Sequence, residues 1–351
     1  MKKNIALIFI TILFSACHKD ILLYNKDTFK PKLVVYSILI PGQKITANIS
    51  KTAIPKHLDS SCFITNAIVD VYQDENYLGK LKLSPFSYDT LDMYINGNDT
   101  NYDIRPICPY YYSNFYAKEN HNYTLKISAL DKNIEKKISF PQKNPNIKLL
   151  CSNLIMTDTS HILNSYINCS FKTNINVQLN DIPGKNFYMI LLYTKYKDFY
   201  FDTITQSYSD SVVAQYNDYI DATEDNTLAN MKNIYAELKI NNKNIYANII
   251  NDELFSDKTL VLRGQEYMKC TIKNNEAIKI YYSVYSVSQD LFKYFLTKEK
   301  SEASQDNPFV EPVNIYSNLD NALGIISAMN VFTDSISIPL SQFSFQLNSE
   351  K

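Results

Sequence analysis

The stretch YTLKISALDKNIEKKISF, Tyr123 to Phe140, alternates apolar with polar side chains: Tyr123, Leu125, Ile127 and Ala129 fall in one register, Thr124, Lys126 and Ser128 in the other. A period of two marks a strand with one buried face, and the polar DKN that follows predicts a turn into a return strand. Upstream the same grammar recurs. KLVVYSILI from Lys32, a Pro41-Gly42 turn and KITANISKTA read as a hairpin, and Ile68, Val69 and Val71 precede a DEN turn and a second strand from Tyr77 to Leu83. Short strands at this density over residues 31–145 predict an immunoglobulin-like β-sandwich.

Downstream, Phe140-Pro141 and QKNPNIK combine two prolines with polar, aperiodic sequence, which predicts an interdomain connection and a boundary near Asn146. Strand patterns then resume in SYINCSFKT, NFYMILLYTKY, NIYAELKI, NIYANII, TLVLRG and KCTIKNNEAIKIYYSVYSV, with NNKN as a hairpin turn. One helix is predicted, over 288–300. Ser288 suits an N-cap, Asp290 suits the positive helix end, and Leu291, Phe292 and Phe295 form an apolar face that covers a sheet. The tail returns to β pattern in VNIYSN, LGIISAMN and SISIPL, where Pro339 implies an edge. Residues 146–351 therefore read as a larger antiparallel domain.

The chain starts with Lys2 and Lys3, then runs apolar from Ile5 to Phe14 with only Thr11 polar, and small Ser15 and Ala16 precede Cys17. Residues 1–16 read as a signal peptide, because the run falls well short of the ~20 residues that a membrane-spanning helix needs. Phe14-Ser15-Ala16-Cys17 is similar to a bacterial lipobox, which makes the Cys17 thiol the site of lipid attachment and residues 17–30 a tether. The plainer alternative is an ordinary cleaved signal with an incidental cysteine. Several acyl chains, at ~0.8 kcal/mol per buried methylene, hold a protein on a bilayer without a spanning helix. His18, Lys19 and Asp20 resemble the charged signals that send such lipoproteins to the cell surface.

Composition narrows the function. Removing residues 1–16 takes away two of 35 basic side chains and none of 36 acidic ones, so the mature chain has no basic footprint for nucleic acid. Trp is absent and Gly numbers 6, while Tyr numbers 28 and must supply the large amphipathic surface. Five cysteines follow Cys17: Cys62, Cys108, Cys151, Cys169 and Cys270. Without a CxxC they give zinc little support. Export would permit disulfides, the odd count leaves one cysteine over, and Cys62 with Cys108 is the pairing that stays within one domain.

Few groups suggest chemistry. His18, His57, His121 and His161 are scattered, and HExxH, GxSxG, Walker and dinucleotide patterns are all missing. No cofactor and no metal are expected, and the expectation is a non-enzyme. PYYYSNFY, Pro109 to Tyr116, is the candidate contact stretch: Tyr110, Tyr111, Tyr112 and Tyr116 could grip a ligand, against the plainer reading of strand and core tyrosines. Asp198, Asp202, Asp210, Asp218, Asp221, Glu224 and Asp225 fit no EF-hand spacing and read as a solvated insertion.

NPFVEPVNIYSNLDNALGI, Asn307 to Ile325, closely resembles the C-terminal signature of the Bacteroidetes outer-membrane lipoprotein family called domain of unknown function 4249. KPKLVVYSIL, DIPGKNFYMILLY from Asp181, NDELFSDKTLVL from Asn251 and SVSQDLFKYF from Ser286 match as well. Where members carry NGLG, this chain has Asn321-Ala322-Leu323-Gly324, so position 322 should not require positive φ. Val313 and Ile315 are expected to face a core, with Asn314 and Tyr316 outward. The resemblance implies an immunoglobulin-like first domain, a β-barrel-like second domain, and the role of accessory or ligand-binding partner to a TonB-dependent transporter. Two rivals are a structural or adhesive cell-surface protein and a hydrolase with carboxylates assembled across loops.

Overall fold

The structure, a computed structural model, describes residues 29–53, 62–85, 87–96, 99–107, 109–161, 166–202, 207–217, 235–240, 243–252, 259–273, 276–305, 311 and 313–345. The expected signal peptide, Cys17, nearly all of the expected tether, His57, Cys108, Asp218, Asp221, Glu224 and Asp225 lie outside the described residues.

The first part holds β1 (Leu33–Leu39), β2 (Lys44–Lys51), β3 (Ile68–Gln73), β4 (Asn76–Lys80), β5 (Lys82–Leu83), β6 (Ser87–Asn96), β7 (Asp99–Ile107), β8 (Tyr111–Tyr116), β9 (Asn122–Ala129) and β10 (Lys132–Ser139). The second part holds β11 (Ile147–His161), β12 (Tyr166–Asn180), β13 (Phe187–Asp202), β14 (Ser207–Asn217), β15 (Tyr235–Ile240), β16 (Lys243–Asn251), β17 (Thr259–Lys273) and β18 (Ile278–Val287), then helix α1 (Gln289–Gln305), β19 (Leu323–Ile338) and β20 (Ser344–Phe345). The chain is mainly β, as its alternating pattern predicts.

A ten-stranded sheet runs β15-β16-β13-β18-β19-β1-β2-β8-β5, with β14 also paired to β13. It contains strands from both sides of residue 146, because β1 lies parallel to β19 with Val35 opposite Gly324. Two four-stranded sheets, β10-β9-β3-β4 and β17-β12-β11-β20, complete the layers, and among the described residues β6 pairs only with β7.

Three apolar clusters show how the layers stack. Leu33, Val35, Ile45 and Ile49 of the large sheet pack with Val69, Val71, Leu125, Ile127 and Ile134 of the first four-stranded sheet, which gives a β-sandwich-like arrangement. Tyr188, Ile190, Leu192, Ile280 and Val284 pack with Phe171, Ile175, Val177 and Met268 of the second one. Phe187, Met189, Leu191, Ile325 and Met329, on the opposite face of the large sheet, lie under Leu291, Phe292 and Phe295 of α1. Burial on both faces is why β13 opens with six consecutive buried residues from Phe187 to Leu192 and reads as an unbroken apolar run. Each fully buried side chain of this size contributes about 1.5–3 kcal/mol relative to exposure.

Several local expectations are corrected. The second part is a stack of open sheets among the described residues, not a barrel, since its large sheet ends in β15 on one side instead of closing on itself. The β9–β10 turn is centred on Leu130-Asp131, both at positive φ (49° and 56°), one residue ahead of the DKN that the sequence suggests. That is the backbone a two-residue hairpin turn requires. Helix α1 starts after Ser288, whose Oγ accepts the Leu291 N–H at 3.1 Å, and runs to Gln305, past the expected end at 300. VNIYSN forms no strand, and two of its four expected orientations fail: Val313 is half-buried and Asn314 exposed as expected, but Ile315 is 44% exposed while Tyr316 is half-buried.

Candidate functional site

The tyrosine run at 110–116 is divided by strand pleating. β8 pairs with β2, placing Lys44 opposite Tyr116, Thr46 opposite Tyr112 and Ala47 opposite Tyr111, and its outer side is covered only by two-residue β5. Successive side chains take opposite faces, so Tyr111 and Ser113 turn inward while Tyr110, Tyr112, Asn114 and Tyr116 turn outward. Tyr111 is thereby corrected from contact residue to core residue. It is 3% exposed, its hydroxyl donates to the Ile64 carbonyl at 2.9 Å and accepts the Ala67 N–H at 2.8 Å, and burial raises its pKa.

A register shift interrupts the ladder between Lys44 and Thr46, and Ser113 absorbs it. Its buried hydroxyl accepts the Ile45 N–H at 2.9 Å and donates to the Phe115 carbonyl. The backbone is thus satisfied where the strand bulges, and the outward tyrosines sit on a fixed frame.

The outward stripe comprises exposed Tyr110 and Tyr116 and half-buried Tyr112, with Lys44 added by the register. The Tyr110 and Tyr112 rings lie 6.2 Å apart at 58°, and the Lys44 ammonium stands 5.4 Å from the Tyr112 centroid. Tyr110 is 38% and Tyr116 55% exposed. Such a surface offers apolar ring faces, phenolic donors and acceptors, and one cation to a ligand. Lys44 is invisible to local sequence reading, because only the cross-strand pairing brings it beside Tyr112.

Two neighbouring grooves, of about 480 and 560 Å³, flank the turn that carries His121. Asp74 anchors that turn: its carboxylate bonds His121 Nδ1 and accepts the Asn122 N–H at 2.9 Å, and the His121 bond is the main cause of its lowered pKa. Glu119 pairs with Lys143 at 3.1 Å on the rim. These groups are engaged with one another, and among the described residues no three His, Cys, Asp or Glu side chains gather to hold a metal ion.

The family-like motifs do structural work. Asp290 of α1 accepts the Tyr316 hydroxyl at 2.7 Å and Asn318 Nδ2 at 3.0 Å. Asn318 also bonds both the carbonyl (2.9 Å) and the N–H (3.1 Å) of Ile326, and Lys136 of β10 donates to the Asn318 carbonyl at 3.0 Å. Burial disfavours the Asp290 charge, but the bonds from Asn318 and Tyr316 and the charges of Lys136 and Lys293 outweigh it, leaving the pKa lowered. Tyr316, half-buried and bonded to a carboxylate, is pushed up to about 12. Tyr316 and Asn318 of the signature thus fasten the helix to the sheet, in keeping with the signature's poverty in proton-transfer groups. Asn186 of the DIPGKN stretch meets Asp252, whose carboxylate accepts the Asn186 N–H. Asp198 and Asp202 sit on β13 and Asp210 on β14, so that portion of the acidic stretch forms a hairpin.

No curated protein matches the chain. A model for the domain of unknown function DUF4249 matches residues 20–335, most of the 351-residue chain, and the chain belongs to that family.

Proposed function

We propose that this chain is a lipid-anchored outer-membrane protein, displayed at the cell surface, that recognises its target through a tyrosine surface and serves a TonB-dependent transporter as accessory or ligand-binding partner, without catalysis of its own. The observation that carries the recognition half is the outward stripe of Tyr110, Tyr112 and Tyr116 with Lys44. Large rings with few rotatable bonds give contact area at low entropic cost, and a rigid strand presents them without prior ordering. The lipobox-like Phe14-Ser15-Ala16-Cys17 carries the anchoring half. A tether of residues 17–30 would hold the stripe near a membrane partner at an effective concentration set by its length.

The test is capture from detergent-solubilised outer membrane of the native host. Wild-type chain should retain a transporter barrel, and a Tyr112→Ala/Tyr116→Ala variant should lose it. Failure of the wild type to retain any barrel in mild detergent removes the transporter role and leaves adhesion, which binding of whole cells to immobilised protein examines. Mass spectrometry of the mature N-terminus should find Cys17 acylated; an unmodified start elsewhere removes the anchor.

A further inference from the structure

Cys169 of β12 and Cys270 of β17 are direct cross-strand partners, and both are buried, at 2% and 3% exposure. Their thiols hydrogen-bond one another. Residues paired across antiparallel strands have Cα atoms about 4.5–5.5 Å apart, inside the roughly 4.4–6.8 Å that a disulfide spans. We propose that Cys169 and Cys270 are joined by a disulfide in the exported protein, a covalent cross-link between β12 and β17 within the second sandwich core.

Among the described cysteines, geometry selects this pair. Cys151 lies opposite Ile175, six residues along β12 from Cys169, which at ~3.3 Å per residue is about 20 Å away. Cys62 belongs to the other half, next to the Ser50–Phe63 bridge. The reaction is thiol–disulfide exchange with an external disulfide, of the kind that an oxidising compartment supplies. The Cys169 thiolate, favoured by the hydrogen bond from Cys270, attacks one sulfur of that disulfide and expels the other as a thiolate. Cys270 then loses its proton and attacks Cys169 Sγ, releasing the second thiolate. Two protein thiols are oxidised and one external disulfide is reduced to two thiols. Burial of both sulfurs places the exchange during docking of β17, before the sheet is covered.

The test needs neither membrane nor partner, so it is independent of the proposed function. The chain is refolded in a glutathione redox buffer, free thiols are alkylated, and the protein is digested. Trypsin leaves Cys151 and Cys169 together on peptide 149–172, so chymotryptic cleavage after Tyr166 is added to separate them. The expected product links the Cys169 and Cys270 peptides with the loss of two hydrogens. Closing a loop of about 100 residues should raise Tm by roughly 5–15 °C over the reduced chain, and Cys270→Ala should abolish that difference. Alkylation of both cysteines in folded wild type, or linkage of Cys270 to another cysteine, overturns the proposal. The mapping stands on wild type alone should Cys270→Ala fail to fold.

Discussion

Gly324 meets Val35 across the parallel β1–β19 ladder so closely that a Cβ on Gly324 would lie 2.0 Å from the Val35 carbonyl oxygen. Its φ of 102° is also a conformation that L side chains rarely adopt. The contact is where the first strand of the fold docks on the last long one. Position 322 has no positive φ, while its neighbour Asn321 does (61°).

Gly324→Ala should therefore destabilise the protein by more than the ~1–3 kcal/mol of backbone strain alone, because the sheet must also part. Gly184 is the control: its φ is 107°, yet a Cβ there meets nothing within 4 Å. Denaturant unfolding should show Gly324→Ala clearly below Gly184→Ala. Equal losses would mean that the Val35 contact relaxes at no cost.

The Asp290 network gives stability a defined acid dependence. Its folded pKa is below the ordinary carboxylate value, so its contribution is complete at neutral pH, fades once pH falls past the unfolded value near 4, and is gone below the folded pKa. Asp290→Ala should cost about 2–3 kcal/mol at pH 7, since Tyr316 and Asn318 lose a charged acceptor. The gap between wild type and Asp290→Asn should shrink from about pH 5 to pH 3. A gap independent of pH would show that the carboxylate charge is not what is bound.

How much of this was legible before folding depended on what each residue's local pattern could report. β9 and β10 were readable because one face is core and the other water, and β13 because both faces are core. β11 was not. Register shifts between Ser152 and Ile155 and between Met156 and Asp158, with Asn153 at φ 50°, break the alternation that would have marked it. Tyr316 reads as outward by alternation but turns toward the helix to reach Asp290, a partner 26 residues away. At the candidate site, composition singled out the tyrosines, but only pleating separates Tyr111 from Tyr112, and only the β2–β8 register supplies Lys44.

That separation yields opposite phenotypes for adjacent tyrosines. Tyr111→Phe strands the Ala67 N–H and the Ile64 carbonyl and should cost about 1–3 kcal/mol in unfolding free energy, with target capture preserved below the melting transition. Tyr112→Ala and Tyr116→Ala, on the outer face, should stay within about 0.5–1 kcal/mol of wild type and lose capture. Intact capture by both outer variants would move recognition away from β8.

The connection expected at Phe140–Asn146 is pinned in the folded protein, and its anchor is Asn144. This side chain is 1% exposed. Its Nδ2 donates to the Asn180 carbonyl at 2.9 Å and to the Tyr188 hydroxyl at 3.2 Å, and its Oδ1 accepts the Asn146 N–H at 2.9 Å. Asn330 adds a bond from its Nδ2 to the Pro141 carbonyl at 3.1 Å, so β19 holds the start of the segment while Asn144 holds its end. Replacing Asn144 with Ala leaves three partners, among them the buried Tyr188, short of a bond, each worth about 0.5–1.5 kcal/mol, and should lower stability by roughly 2–4 kcal/mol. A polar, proline-bearing connection without such anchors is a preferred site of proteolytic nicking. Limited proteolysis should thus spare residues 140–146 in wild type and cut there in Asn144→Ala at temperatures where the sheets remain folded by circular dichroism. Equal resistance of the two proteins would show that the prolines, and not the amide, fix this crossing.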